Sequence, residues 1–186
     1  MRFYLRNNLL VELKKMLFPV QIKNVIETRD ILIKKSICLN ASEMGAGKTY
    51  ITCAVAKEMK RSLLVICPKI AIPGWLKVMK IFNVKKFDVI NYETLVNCKT
   101  YKNENYISRN LSEYIKIEKE NYVWNLNSGK YLSKDVIVVF DESHRCKSYK
   151  TYAGKLLFST KQLIDNKIPV LLLSATMSEQ PKDMKI

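Results

Sequence analysis

From Ala41 to Thr49 the chain reads Ala-Ser-Glu-Met-Gly-Ala-Gly-Lys-Thr, directly after the short apolar run Ser36 to Ala41 and directly before a stretch of helical pattern. A strand, a tight glycine-containing loop and a helix in that order leave few folds open. Gly45 and Gly47 reach backbone angles that other residues adopt only at a cost, so successive N–H groups can turn inward as an anion cradle. The start of the following helix adds a dipole that favours negative charge. The general pattern is G-x-x-x-x-G-K-[ST], with Ser42 in place of the first glycine. In it Lys48 reaches the outer phosphates of a nucleotide and the Thr49 hydroxyl ligates Mg²⁺. Met44, Gly45, Ala46, Gly47, Lys48 and Thr49 are therefore the expected phosphate-binding residues.

The rest of the chain fits around this loop. Leu63 to Cys67, closed by Pro68, Asp88 to Asn91, Val136 to Phe140 and Val170 to Leu173 read as further strands. Helices are expected from about Lys48 to Lys60 and from near Pro73 or Trp75 onward, with Trp75 in the core. Strands written as continuous apolar runs are buried on both faces. Their alternation with helices predicts a three-layer α/β domain on a mainly parallel sheet, with ligands at the carboxyl ends of the strands. One domain is expected over 1–186, with helices over 1–35. Leu9, Leu10, Leu13 and Leu17 stand close to helical spacing. The Asn-, Lys- and Tyr-rich stretch 97–134 reads as an insertion, with a helix over Ile107 to Ile117 and a hairpin over Tyr122 to Tyr131 that turns at Asn127-Ser128-Gly129.

Asp141-Glu142-Ser143-His144 follows directly on the β-branched run ending at Phe140. A buried strand that delivers an Asp at its end suits metal binding through Asp141, and Glu142 beside it suits activation of the attacking water as general base. His144 is the sole histidine of the chain. Three residues past Asp141, it is placed to sense the γ-phosphate side of the same site.

Composition narrows the partners. Lys and Arg number 32 against 17 Asp and Glu, a formal charge of +15, which suits a polyanion, nucleic acid before a membrane surface. No apolar run approaches the roughly 18 to 20 residues of a membrane span. Charges from Arg6 to Lys15 break any signal peptide. Five cysteines, an odd count with no C-x-x-C spacing, argue against a disulfide framework or zinc site and for a reducing intracellular location: cytoplasm, nucleus or virion.

At this point three segments resemble one group. Ala41 to Thr49 resembles motif I of superfamily-two helicases, most closely that of Swi/Snf-type DNA translocases. Asp141 to Lys147 resembles their DExH motif II, and Ser174-Ala175-Thr176 resembles motif III, in the same order and spacing. Phe18-Pro19-Val20-Gln21 is similar to the upstream Q-type segment, Pro68-Lys69 with Trp75 to motif Ia, and Asn91 to Leu95 to motif Ib. The resemblance implies a RecA-like first lobe that uses ATP and Mg²⁺. It gives adenine contact to Gln21, nucleic-acid contact to Pro68, Lys69 and Tyr92, and coupling between the two ligands to His144, Ser174 and Thr176. It departs from the Swi/Snf pattern at Ser42 (usually Asp), at Met177 (commonly Pro) and at Leu76-Lys77-Val78, which lacks the usual acidic residue.

The resemblance further implies a second RecA-like lobe, in cis or in trans, to close the ATP cleft with arginine fingers; the span 1–186 is expected to form the first lobe alone. Duplex DNA is the favoured track. An RNA helicase or a viral transcription-type NTPase is the nearest alternative, and a truncated, non-enzymatic binding module is another. A nucleotide kinase or AAA-type ATPase would lack Asp-Glu-x-His followed by Ser-Ala-Thr.

Overall fold

The computed structural model describes residues 15–97, 99–102, 105–108, 114–118, 121–126, 132–146, 148 and 150–175. Its centre is a five-stranded parallel sheet in the order β1-β9-β8-β2-β3. The strands are β1 (Ile37–Asn40), β2 (Ser62–Cys67), β3 (Lys86–Asn91), β8 (Val136–Phe140) and β9 (Val170–Leu173). All five were expected from the sequence; the three inner strands β2, β8 and β9 are covered on both faces, while the edge strands β1 and β3 are covered only in part. Leu63, Val65, Cys67, Ile137, Val139, Leu171 and Leu173 enter one apolar cluster, while Leu64, Ile66, Val136, Val138, Phe140, Val170 and Leu172 enter the other.

Three helices cover the first face: α1 (Pro19–Lys35), α2 (Lys48–Met59) and α3 (Ile72–Phe82). Pro19 opens α1 where its missing N–H costs nothing. The exposed N–H of Phe18 is taken by the Gln21 side-chain oxygen at 3.0 Å. Ser36 ends the helix in the left-handed region. On the second face lie α4 (Tyr92–Val96), α5 (Tyr152–Phe158) and α6 (Lys161–Asp165). The Thr151 hydroxyl caps α5 by accepting from the Gly154 N–H at 3.1 Å. The short α4, α5 and α6 are additional to the helices read from the sequence.

The stretch 97–134 differs from expectation. Its described parts form two antiparallel hairpins, β4 (Lys99–Lys102) with β5 (Asn105–Ser108), and β6 (Ile115–Glu118) with β7 (Asn121–Trp124). The helix expected over Ile107 to Ile117 is thus corrected: Ile107 lies in β5 and Ile115 to Ile117 in β6. The physical reason is alternation of period two: Ile115 faces Trp124 across the hairpin, and both are buried. Tyr122 lies within β7, the returning strand of this hairpin, paired with Ile117. Asn127, Ser128 and Gly129, and also Leu9, Leu10 and Leu13, lie outside the described residues.

The β6–β7 hairpin is fastened to the second face by Trp124. Its backbone N–H donates to Gln162 Oε1 at 2.8 Å, its indole N–H donates to Ser159 Oγ at 2.8 Å, and its carbonyl accepts from Gln162 Nε2 at 3.4 Å. Removing one partner of a buried bond leaves the other group desolvated and unpaired. Gln162→Ala should therefore destabilise the fold by about 1–3 kcal/mol, read as a lower urea midpoint at unchanged slope. An unchanged midpoint would mean that the hairpin is held by apolar contact alone.

Four of the five cysteines lie among the described residues, as buried free thiols. Burial pushes Cys53 and Cys67 up to about 12 and Cys146 up to about 11, so they remain protonated. Among the described residues no helix is long and apolar enough to cross a membrane.

Candidate nucleotide site

The parallel sheet brings three chain segments to one edge. β9 lies between β1 and β8, so Ser174, just past β9, sits between the glycine loop that follows β1 and the acidic turn that follows β8. The Ser174 N–H donates to the Asn40 carbonyl at 3.1 Å, which extends the ladder past the strand end.

In the loop, Gly45 has φ +82° and Gly47 φ +80°, the left-handed region that favours glycine. A Cβ on Gly47 would stand 2.3 Å from the Gln21 amide nitrogen and would push that side-chain end aside, so it is the backbone angle that disfavours a side chain here. Asn40 shapes the entry to the loop: its side-chain oxygen accepts from both the Ser42 N–H and the Ser42 hydroxyl. The Lys48 ammonium donates to the carbonyls of Ser42 (2.8 Å) and Glu43 (3.0 Å), so in this state it closes on its own loop. The Thr49 hydroxyl, beside it at the start of α2, has no hydrogen-bond partner among the described residues. Met44 is exposed at the tip of the loop. Gln21 donates from Nε2 to the Ala46 carbonyl at 3.0 Å, so its amide ties α1 to the loop.

Across β9, Asp141 is held on every side. Its Oδ2 accepts from the Trp75 indole N–H at 2.9 Å and its Oδ1 from the Glu142 N–H at 3.0 Å. Its carbonyl accepts from the Tyr92 hydroxyl at 2.8 Å, and its own N–H donates to the Ile66 carbonyl at 2.8 Å. Burial is the largest influence on its carboxyl and pushes it up. The Trp75 N–H pulls it down, the Glu142 charge raises it again, and the Lys48 charge lowers it. A carboxylate fixed this way and short of positive charge is suited to a cation.

Glu142 adopts φ +54°, unusual for a residue with a side chain. Its Oε2 lies 3.1 Å from His144 Nδ1, and the same nitrogen lies 3.4 Å from Ser174 Oγ. Glu142, His144 and Ser174 therefore form a chain of polar contacts from the acidic turn to the end of β9. Thr176 lies outside the described residues.

The remaining sequence-derived residues are not all at this edge in the same way. Pro68 and Lys69 follow β2, and Lys69 is exposed in the 3₁₀ turn Lys69–Ala71. Tyr92 is buried, with its hydroxyl on the Asp141 backbone, and burial pushes that hydroxyl well above its ordinary range. Trp75 is in the core, as expected, yet it also orients Asp141. Sequence reasoning missed this second role, as it missed Asn40. Trp75 and Asp141 are 66 positions apart, and no local pattern announces the bond.

Over residues 14–179 the chain matches the family described as "Type III restriction enzyme, res subunit". It is also 42% identical, over 193 aligned residues, to a protein of Acanthamoeba polyphaga mimivirus provisionally named an ATP-dependent RNA helicase. The alignment takes in 100% of this chain and 35% of that relative, so the chain spans about a third of the relative's length.

Proposed function

The chain belongs to the family of type III restriction enzyme res subunits and is a RecA-like, helicase-type ATP-binding domain; on that premise we propose that it holds Mg-ATP and performs the hydrolytic step of a nucleic-acid-dependent motor. The observation that carries the reading is the convergence of Lys48, Asp141, Glu142, His144 and Ser174 at one edge of one sheet, with Asp141 already locked in place.

Phosphates of the nucleotide would lie on the N–H groups of the Gly45 to Thr49 loop. Lys48 would leave the Ser42 and Glu43 carbonyls, which compensate its charge only weakly, for the outer phosphates. Gln21 would exchange its bond to Ala46 for the adenine edge. The free Thr49 hydroxyl and the Asp141 carboxylate fit Mg²⁺ and would hold it; when bound, it neutralises the charge of the phosphates. Glu142 would take the proton of the attacking water, and the contact with His144 orients its carboxylate. His144 and Ser174, with Thr176 beyond, would pass the state of that site to the nucleic-acid surface, where Pro68 and exposed Lys69 are the candidate backbone contacts.

Positioning and charge stabilisation dominate phosphoryl transfer, and an arginine finger alone is worth about 10³–10⁵ in rate. The finger would come from a second lobe, in cis or in trans, so this chain by itself should bind nucleotide and turn it over slowly. Two tracks have separate support: the Swi/Snf-like motifs favour duplex DNA, and the name of the mimivirus relative favours RNA. ATP turnover measured with duplex DNA, single-stranded DNA and RNA side by side decides between them.

The central claim is tested at Lys48. Lys48→Ala should weaken Mg-ATP binding at least tenfold in titration calorimetry while the thermal midpoint stays within a few degrees. Equal affinity in the variant would remove the loop from the nucleotide site.

A further inference from the structure

The opposite edge of the sheet, where the strands begin, has no part in the nucleotide site, and its charge is one-sided. The segments that enter neighbouring strands are held side by side. The Val170 N–H donates to the Ser36 carbonyl at 2.9 Å, the Ser62 N–H to the Asp135 carbonyl at 2.8 Å, and the Leu63 N–H to the Lys85 carbonyl at 3.2 Å. Following the strand order, exposed lysines stand in a row: Lys34 and Lys35 before β1, Lys167 before β9, Lys134 before β8, Lys60 before β2, and Lys85 with Lys86 at β3. The exposed carboxylates in these segments are Asp135 and Asp165. Among the described residues none of the seven lysines makes an ion pair.

Fold stability does not account for the row. Cations do favour helix C-termini, which explains Lys34 and Lys35 at the end of α1 and the charge, though not the backbone angle, of Lys60 at the C-cap of α2. Lys85, Lys86 and Lys134 lead into strands instead. Lys60 and Lys167 have φ +54° and +59°, where glycine or asparagine would be less strained. Like charges set this close also repel one another.

We propose that this strand-entry edge is a second contact surface for duplex DNA, bound through its phosphates on the side of the lobe away from the nucleotide. Strands about 4.8 Å apart make the row roughly 20 Å long. That length of duplex carries about twelve phosphate charges, since one falls every ~1.7 Å of axis, and about half of them face one side. Seven unpaired lysines match that number. The surface shares a class of partner with the proposed function but not its site, so it would tether the track without sensing ATP.

The test is binding of a fluorescein-labelled 20-base-pair DNA duplex to the chain without nucleotide, by anisotropy across a salt series. The edge variant carries Lys60→Gln, Lys86→Gln, Lys134→Gln and Lys167→Gln. The control carries Lys23→Gln, Lys77→Gln, Lys155→Gln and Lys161→Gln, the same charge change on helices. The edge variant should bind at least tenfold more weakly at moderate salt, and the slope of log affinity against log salt should flatten by about 3.6 if all four lysines contact phosphate, at about 0.9 per lost contact. The control should lose less than threefold. Equal losses in both variants, or none in either, would overturn the proposal. So would an edge effect larger for single-stranded RNA or for phosphatidylserine vesicles than for the duplex. Mg-ATP affinity measured on the same proteins separates this outcome from failure of the nucleotide site: it should be unchanged in both variants.

Discussion

Glu142→Gln should leave Mg-ATP affinity within about threefold of the parent and lower the single-turnover rate of γ-phosphate release by roughly 10²–10⁴, the usual contribution of a positioned general base. The amide has almost the shape of the carboxylate and can still contact His144 Nδ1, which now lies 3.1 Å from Glu142 Oε2. What it cannot do is accept the proton of the attacking water. Binding and chemistry should therefore separate, in contrast to Lys48→Ala, where binding itself is lost. The assay needs nucleic acid present and a long enough time base to follow a slow parent. A variant that released phosphate at the parent rate would move the base elsewhere and leave Glu142 as a residue of the turn.

Two features of this turn bear on why glutamate is held there. Its φ of +54° costs about 1–2 kcal/mol for a residue with a side chain. A turn selected for stability alone would carry glycine or asparagine. At this angle the Glu142 carboxylate lies 3.1 Å from His144 Nδ1, which in turn lies 3.4 Å from Ser174 Oγ. Strain held at a strand end in exchange for the aim of one side chain is commonly a mark of functional geometry.

The inner strands of the sheet could be read from the sequence because they are short apolar runs, and Val136–Phe140 and Val170–Leu173 begin and end where those runs do; the edge strand Lys86–Asn91, with Lys86 and Asp88 inside it, was visible only in its part from Asp88 to Asn91. The nucleotide loop could be read because glycine, lysine and threonine act there through local backbone geometry. The hairpins of 97–134 could not. Ile115-Lys116-Ile117-Glu118 is too short for period two to stand out against a helical reading, and its register is set by distant contacts through Trp124. The polar surroundings of Asp141 were equally hidden. Trp75 and Tyr92 come from different elements, and only the finished packing brings the indole N–H and the phenol hydroxyl to that one residue.

The same packing makes Trp75 the most sensitive position away from the loop. Trp75→Ala should cost about 3–5 kcal/mol, the range for emptying a fully buried aromatic site, against a total stability of roughly 5–15 kcal/mol for a domain of ordinary kind. A large loss of urea stability is therefore expected. Trp75→Phe tells more, because it keeps most of the volume and removes only the N–H that Asp141 Oδ2 accepts at 2.9 Å. If Trp75 only fills space, the Phe variant should bind ATP with the parent's dependence on Mg²⁺. If the indole fixes the carboxylate for the metal, ATP binding without Mg²⁺ should be unchanged while the gain in affinity on adding Mg²⁺ shrinks severalfold, since the freed carboxylate must be ordered at the moment of binding. The second outcome is the one the geometry favours. Asp141 Oδ1 would still be held by the Glu142 N–H, but nothing then fixes the carboxylate's rotation about that single contact. An intact Mg²⁺ dependence in a folded Trp75→Phe protein would assign the bond to stability alone.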